Sequence, residues 1–143
     1  MYNWGYSIMV ILFDQFNMPN DVYEVVFATE QQVLVGKLLI QFLKEHEGEI
    51  SKSEMSAFAT KLHEGDYITV IDTKPYVGKK VKISYNKRQF YDRILTPMKS
   101  MGLVDYDMYR RSYKISDKFN RLMLKIGLMW LKEIDQFRPN KMF

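Results

Sequence analysis

Residues 83–95, "ISYNKRQFYDRIL", combine an apolar helical face with an unusually polar one. If Ser84 caps a helix, its apolar side carries Phe90, Ile94, Met98 and Met101. The opposite side then carries long hydrogen-bonding side chains: Tyr85, Arg88, Gln89 and Asp92. A similar mixture follows in "YDMYRRSYKIS" at 106–116. The sequence therefore predicts a helix whose outer surface is made for polar contacts.

Length and composition indicate one folded domain. The chain has 143 residues, 47% of them hydrophobic, which is enough to bury a core. It contains no cysteine, which excludes a disulfide framework, a thiolate zinc site and a cysteine nucleophile. The longest apolar run, "YSIMVILF" at 6–13, is too short to cross a bilayer and has no basic residues before it. We expect a cytoplasmic protein without a membrane partner.

The charges are distributed unevenly along the chain. Residues 1–78 hold five Lys/Arg and eleven Asp/Glu, a net charge of −6, while residues 79–143 hold sixteen and six, a net charge of +10. Two interpretations are open. A polyanionic partner would bind the basic half, or the basic half is a solvated surface without a partner.

Capping signals predict the helices of the first half. Thr29 with Gln32 begins a buried central helix that ends near Gly48, and Ser51 with Glu54 begins a shorter one. Residues 1–28 are interpreted as an N-terminal arm, in which "MPND" at 18–21 is a turn and "VYEVVF" at 22–27 is a possible strand.

The second half alternates between strands and helices. Residues 65–83 predict a β-hairpin, and the helix from Ser84 to about Leu95 ends or kinks at Pro97. Residues 103–116 predict a second hairpin, and Ser116 caps a long final helix. The predicted fold class is α+β, mainly α.

Three helices followed by a hairpin, with a basic third helix and paired arginines in the hairpin, resemble winged helix-turn-helix DNA-binding proteins of the MarR and ArsR types. "SYNKRQFYDRILTPMKSMGLV" is similar to a recognition helix that runs into the first wing strand. "DYDMYRRSYKIS" is similar to a wing. The resemblance implies an N-terminal arm at 1–28, a winged-helix domain at 29–116 and a C-terminal dimerisation helix at 117–143. Two features depart from the pattern: the inserted hairpin, and Pro97, which shortens the reading helix.

The resemblance implies that helix 84–95 enters the major groove. Arg88 would then bind guanine through two hydrogen bonds, and Asn86 or Gln89 would do the same for adenine. The residues assigned to phosphates at the helix start are Ser84, Tyr85 and Lys87, and Arg93 completes the DNA-binding set of this helix. A second interpretation is that Arg88 and Arg93 pair with Asp92 and nearby acids on an ordinary solvated helix.

The wing and the inserted hairpin supply further candidate contacts. Arg110 and Arg111 at the tip of the wing, with Tyr109 beside them, suit a minor groove or its flanking phosphates. A basic stripe of the inserted hairpin consists of Lys79, Lys80 and Lys82. We interpret Tyr106 and Tyr113 as residues of the sheet and the core.

Catalytic and metal-binding motifs are missing from the sequence. There is no glycine-rich phosphate loop, serine elbow or "HExxH". His46 and His63 are the only histidines, each beside acids at a predicted helix end, without metal-ligand spacing. We expect no metal, no cofactor and no enzymatic activity.

The final helix has two apolar surfaces. One is a continuous face expected to pack on the domain: Phe119, Met123, Ile126, Trp130, Ile134 and Phe137. The other, formed by Leu124, Leu128 and Leu131, predicts a homodimer interface. The alternative is that the arm, "YSIMVILF" above all, covers this second surface within the same chain.

The sequence as a whole predicts a homodimeric winged-helix protein that binds specific double-stranded DNA, as a transcriptional regulator. The alternative function is a winged-helix module for protein interaction or assembly that does not read DNA.

Overall fold

A computed structural model describes residues 14–71 and 79–137, and gives only the backbone for 69–71, 79 and 81. The fold is α+β and mainly helical, with two small antiparallel sheets. The first half contains α1 (Val22–Val26), α2 (Glu30–Glu45), β1 (Glu49–Ser51), α3 (Lys52–His63) and β2 (Tyr67–Ile71). The second half contains β3 (Lys79–Ile83), α4 (Lys87–Gln89), a π-helical segment (Phe90–Leu95), α5 (Thr96–Ser100), β4 (Val104–Asp107), β5 (Ser112–Ile115) and α6 (Lys118–Phe137).

Both predicted capping boxes are present. The Thr29 hydroxyl accepts a hydrogen bond from the Gln32 N–H, and the Ser51 hydroxyl accepts one from the Glu54 N–H. In each case the side chain at the fourth position accepts from the cap residue's own N–H in return. These reciprocal bonds satisfy amide groups that have no partner within the helix, so they fix where α2 and α3 begin.

The arm differs from the prediction. Residues 22–26 form a helix rather than a strand, because the Asp21 carboxylate accepts from the Tyr23 N–H at 2.9 Å and caps the turn. Asp21 also pairs with Lys37 of α2 at 2.8 Å, which holds α1 against α2. β-branched residues favoured a strand in the sequence, but the cap and this packing outweigh that local preference. The "YSIMVILF" run lies outside the described residues.

A three-stranded sheet in the order β1-β5-β4 links the two halves of the chain. β5 pairs with β4 in the predicted second hairpin, and its other edge pairs with β1, where Ile50 faces Tyr113. β1 was missed in the sequence because three residues between two helices carry no recognisable period. Its pairing fixes the hairpin to the beginning of α3. The inserted hairpin is a separate sheet, in which β2 pairs with β3 from Tyr67↔Ile83 to Ile71↔Lys79.

Residues 87–100 form one unbroken helical run, called the 87–100 helix below. It begins one residue after Asn86, whose side chain accepts from the Gln89 N–H, so Asn86 rather than Ser84 is the cap. Of the two outcomes predicted at Pro97, an end or a kink, the first does not occur, since the helix does not end there. The Thr96 N–H reaches back to the Tyr91 carbonyl, five residues away, and this wider π-type turn accommodates the proline ring.

The buried side of the 87–100 helix forms much of the core. Phe90, Ile94 and Met98 are fully buried, as the amphipathic pattern predicts. The Phe90 ring lies 5.6 Å from that of Phe58 on α3, and the same buried cluster includes Leu39 of α2. The helix is therefore held on α2 and α3 by a continuous apolar contact.

α6 departs most from the prediction. None of its residues is buried, and Ile126 and Trp130 are 49% and 65% exposed, although we expected their face to pack on the domain. α6 is attached at its first turn, where the Phe119 N–H donates to the Gly102 carbonyl. Lys118 adds an ion pair with Asp105 at 2.8 Å. Beyond this turn, α6 does not pack into the buried core of the described residues.

No helix among the described residues is long and apolar enough to cross a membrane.

The anchoring of α6 predicts different effects of alanine at two glycines with similar backbones. Gly48 (φ 87°) has open space where a Cβ would lie, whereas at Gly102 (φ 81°) the Cβ would lie 2.8 Å from the Phe119 nitrogen. We expect Gly48→Ala to lower the free energy of unfolding by about 1–2 kcal/mol through left-handed backbone strain. Gly102→Ala should lower the free energy of unfolding by about 1–3 kcal/mol more, because of the steric overlap with the Phe119 nitrogen. Urea denaturation measures both, and equal losses would contradict a tight contact at Gly102.

Candidate nucleic-acid interface

The solvent side of the 87–100 helix is polar along its whole length. We call its exposed residues the outer face: Arg88, Gln89, Asp92, Arg93, Thr96, Lys99 and Ser100. The Arg88 side chain is 91% exposed, and its Nε lies 3.8 Å from the Asp92 carboxylate, one turn away. An exposed pair at this distance contributes little and opens readily, so Arg88 stays available to a ligand. The outer face carries three cationic side chains and one carboxylate, so its net charge is positive.

The beginning of this helix is held by α3. The Lys87 N–H donates to His63 Nδ1 at 3.0 Å, and the Lys87 ammonium donates to the hydroxyls of Thr60 (2.8 Å) and Ser56 (3.3 Å). Because two hydroxyls bind this ammonium without neutralising it, its positive charge remains at the junction of α3 and the 87–100 helix. His63 thus caps a helix, a role that its position at a helix end did not reveal.

Two residues assigned to phosphates lie before the helix instead of in its first turn. Tyr85 is 6% exposed and belongs to the core, and its N–H donates to the Leu62 carbonyl at 2.9 Å. Tyr85 therefore does not belong to the candidate interface. Ser84 is exposed and does not cap the helix, because it lies two residues before the cap Asn86, in the irregular stretch that follows β3. The sequence pattern placed the helix cap two residues too early, directly after the end of β3.

The tip of the β4–β5 hairpin is exposed and ordered by its own side chains. The Asp107 carboxylate accepts from the N–H groups of Tyr109 and Arg110, and Tyr109 is fully exposed. Arg110 forms an ion pair with Glu49 of β1 at 3.3 Å, and Glu49 also accepts from the Ser112 hydroxyl. Arg110 is therefore already in an ion pair within its own chain, and its neighbour Arg111 has different surroundings.

Arg111 has a strained backbone and carries its charge into solvent. Its φ of 52° is left-handed, and its carbonyl accepts from the Lys52 N–H at 2.9 Å, which joins the hairpin tip to the start of α3. An open depression lies between these elements and is lined by Ser51, Lys52, Ser53, Ser56, Arg110 and Arg111. The sequence did not point to the α3 residues, although "SKSEMS" at 51–56 is rich in hydroxyl groups beside a lysine.

The inserted hairpin carries part of the predicted basic stripe. Lys80 and Lys82 are exposed and alternate along β3, opposite Val70 and Ile68, so they share one face. Lys79 pairs with Ile71 at the far end, and its side chain is outside the described part. Ile68 on the same face is 63% exposed, so the described side chains of this face, Ile68, Lys80 and Lys82, all lie in solvent.

Two carboxylates near these elements have lowered pKa values. The Ser51 backbone N–H and hydroxyl hydrogen-bond Glu54 and lower its pKa. The hydrogen bond from the Lys118 ammonium lowers the pKa of Asp105. Both groups therefore remain negative at neutral pH, and each is already bound by a donor of its own chain.

Two tyrosines lie where we expected them. Tyr113 is buried and Tyr106 is half-buried, with their ring centroids 4.7 Å apart across the sheet. Burial raises the pKa of Tyr113, which therefore stays neutral. Lys99 of the outer face lies 5.9 Å above the Tyr113 ring, so the helix and the sheet meet there. Lys99 was missed as a candidate because it follows Pro97.

The predicted dimer residues lie together on α6. Leu124 and Leu128 are 66% and 61% exposed, and Leu131 is half-buried. They line a shallow apolar depression with Met123 and Gly127. Among residues 14–71 and 79–137, no three His, Cys, Asp or Glu side chains are grouped so as to hold a metal ion.

No family model, curated protein or solved structure matches this chain.

The cap of the 87–100 helix can be tested by two alanine substitutions. Asn86→Ala removes the acceptor of the Gln89 N–H and should lower the free energy of unfolding by about 1 kcal/mol. Ser84→Ala, two residues earlier, removes an exposed hydroxyl without such a role and should change it by less than about 0.5 kcal/mol. Chemical denaturation distinguishes the two. A larger loss for Ser84→Ala would mean that the helix begins where the sequence alone suggests.

Proposed function

We propose that this protein is a cytoplasmic, homodimeric winged-helix protein that binds specific double-stranded DNA as a transcriptional regulator. The 87–100 helix would enter the major groove, and the β4–β5 hairpin would contact the minor groove or its phosphates. The proposed action is binding, without catalysis.

The order of elements supports this proposal. α2, α3 and the 87–100 helix are followed by the β4–β5 hairpin, in the order of a winged helix. The inserted β2–β3 hairpin lies between the second and third helices without interrupting their packing, since Phe58 and Phe90 still meet. β1 holds the base of the hairpin, so the wing would have a fixed position relative to the helix.

One observation carries the proposal: the outer face of the 87–100 helix is basic and hydrogen-bonding, while its inner face is fully buried. Arg88, Gln89 and Arg93 bring planar hydrogen-bond donor groups to this exposed face. Arginine and glutamine are the side chains that read guanine and adenine edges in the major groove. The exposed Arg111 and the ammonium of Lys87 would add contacts to phosphates on either side.

The first test is binding to unrelated DNA duplexes. We expect gel shifts at low salt, with affinity that falls steeply as salt rises, because each neutralised phosphate releases condensed counterions. A protein concentration of about 100 μM reaches the upper end of the usual range of non-specific dissociation constants. Absence of any shift at that concentration would refute the DNA proposal and favour the protein-interaction alternative.

The second test separates base reading from phosphate binding on a site selected from a random DNA pool. Arg88→Ala should cost about 1–3 kcal/mol on that site and relax the preference at one position, since it removes a base contact. Arg111→Ala should weaken all sequences alike and reduce the salt slope by about one. Lys37→Ala, on α2 and paired with Asp21, is the control and should change neither.

The sequence preference is the decisive readout. If Arg88→Ala leaves the selected site unchanged, the 87–100 helix is not the reading element, whatever happens to affinity. The proposed dimer also predicts that the selected site is an inverted repeat with half-site centres about 34 Å apart.

A further inference from the structure

The C-terminal helix exposes more apolar surface than a monomer leaves in water. Eight large apolar side chains of α6 are each at least 37% exposed: Leu122, Met123, Leu124, Ile126, Leu128, Met129, Trp130 and Phe137. Large apolar side chains exposed in this number along one helix mark an interaction site. Since the described residues hold α6 only at its first turn, they leave most of its length available to a partner.

Gly127 lies at the middle of this helix and has no reason to be glycine within the described chain. A glycine inside a helix costs about 1 kcal/mol relative to alanine. A Cβ at Gly127 would meet no atom within 4 Å. Glycine is useful where another backbone must approach closely. The missing side chain therefore indicates the crossing point of a second helix.

The residues around Gly127 follow a coiled-coil repeat. Spacings of four, three, four and three residues connect one line along the helix: Asn120, Leu124, Gly127, Leu131 and Ile134. This is the period of a helix seam that faces another helix. We call these five residues the seam. Gly127 is its central member, so two copies that cross there overlap along nearly the whole helix, about 30 Å.

Charges beside the seam favour one direction of pairing. Arg121 and Asp135 lie seven residues before and after Leu128, on the same side of the seam. In a parallel pair, the two copies of Arg121 would lie on opposite sides of the seam, as would the two copies of Asp135, so neither would meet a charge of opposite sign. In an antiparallel pair, each Arg121 meets the Asp135 of the other copy. Asp135 Oδ1 is shielded from solvent yet accepts no hydrogen bond from the described residues, and Arg121 forms an exposed pair with Asp117 at 3.3 Å.

We propose that α6 pairs antiparallel with α6 of a second copy, with the two-fold axis beside Gly127. The inference rests on the dimer of the proposed function and specifies its geometry. Leu124 of each copy packs on Leu131 of the other, so the two-fold axis produces this contact twice. The antiparallel arrangement forms two symmetric Arg121–Asp135 ion pairs, and the parallel arrangement forms neither. The occupant is a second copy because the pattern is complementary to itself under a two-fold rotation.

Cysteine crosslinking tests the direction, since the chain has no cysteine of its own. Leu124→Cys and Leu131→Cys are prepared separately, mixed after reduction, allowed to exchange subunits and then oxidised. In the antiparallel pair, position 124 lies opposite 131, whereas the two copies of position 124 are displaced along the axis by about 10 Å. A disulfide requires Cα atoms within about 7 Å. We therefore expect covalent dimers from the mixture and none from either variant alone.

The controls make each outcome informative. Lys125→Cys, on the polar side of α6, should give no covalent dimer in any mixture. Disulfides within each single variant, and none specific to the mixture, would show parallel pairing and overturn the proposal. A wild-type protein that sediments as a monomer at micromolar concentration would also overturn it. Gel shifts with wild-type protein are run in parallel, so loss of the α6 pair with retained DNA binding separates failure of this inference from failure of the DNA proposal.

Charge reversal tests the register independently. Arg121→Asp and Asp135→Arg should each weaken dimerisation by about fivefold to tenfold in sedimentation equilibrium, because each places like charges together at two symmetric contacts. The double variant should recover most of this loss, since opposite charges face each other again. Lack of recovery would contradict the antiparallel register. Gly127→Leu should leave the single chain folded, because the space is open, but should weaken the dimer at least as much.

Discussion

The contact of Phe90 with Phe58 holds the described fold together. Phe90 has no exposed surface, and its ring joins the 87–100 helix to α3 while Ile94 and Met98 continue the contact along the helix. Burial of three large side chains on one face contributes several kcal/mol, about 1.5–3 kcal/mol each. With the inner face fixed in this way, the rotation of the helix is fixed too. The outer face is therefore presented to solvent as a consequence of packing.

The polar contacts at the beginning of the helix refine this arrangement. Asn86 and His63 bind two of its first amides, and Lys87 binds the hydroxyls of α3. None of these contacts is strong by itself, since an intramolecular hydrogen bond contributes about 1 kcal/mol. Together they limit the freedom of Arg88, the next residue. A side chain that is to reach a base edge benefits from a fixed attachment because less conformational entropy is lost on binding.

α6 shows what the described part of the chain leaves incomplete. The helix is long and mostly apolar, yet beyond its first turn it has no described surface to bury. A helix of this kind gains most of its stability from packing rather than from its own hydrogen bonds. The two-fold pairing proposed above would supply that packing. It would also relate two 87–100 helices by the same axis, which would connect the assembly of the protein to the symmetry of the proposed DNA site.

Local signals in the sequence were sufficient for several elements. The capping boxes at Thr29 and Ser51, the two hairpins and the inner face of the 87–100 helix follow from neighbouring residues, because caps, turns and helical periods depend on short-range contacts. The same signals identified Arg88, Gln89, Arg93 and Arg111 as exposed polar groups. They also gave the mainly helical α+β class.

Only the tertiary structure decided the remaining features, since each depends on residues distant in sequence. β1 exists because β5 offers it an edge, α1 is a helix because Lys37 meets its cap, and the helix passes Pro97 because a π-turn absorbs the ring. Tyr85 is buried because β3 ends over Leu62, and Arg110 is bound because Glu49 lies across the sheet. α6 is exposed because the described residues hold it only at its first turn. The apolar period of the helix could not predict this, because it does not show which other residues pack against the helix. The sequence by itself determined which faces are apolar; the tertiary structure decided which of them the single chain covers, because burial depends on what the rest of the fold brings near.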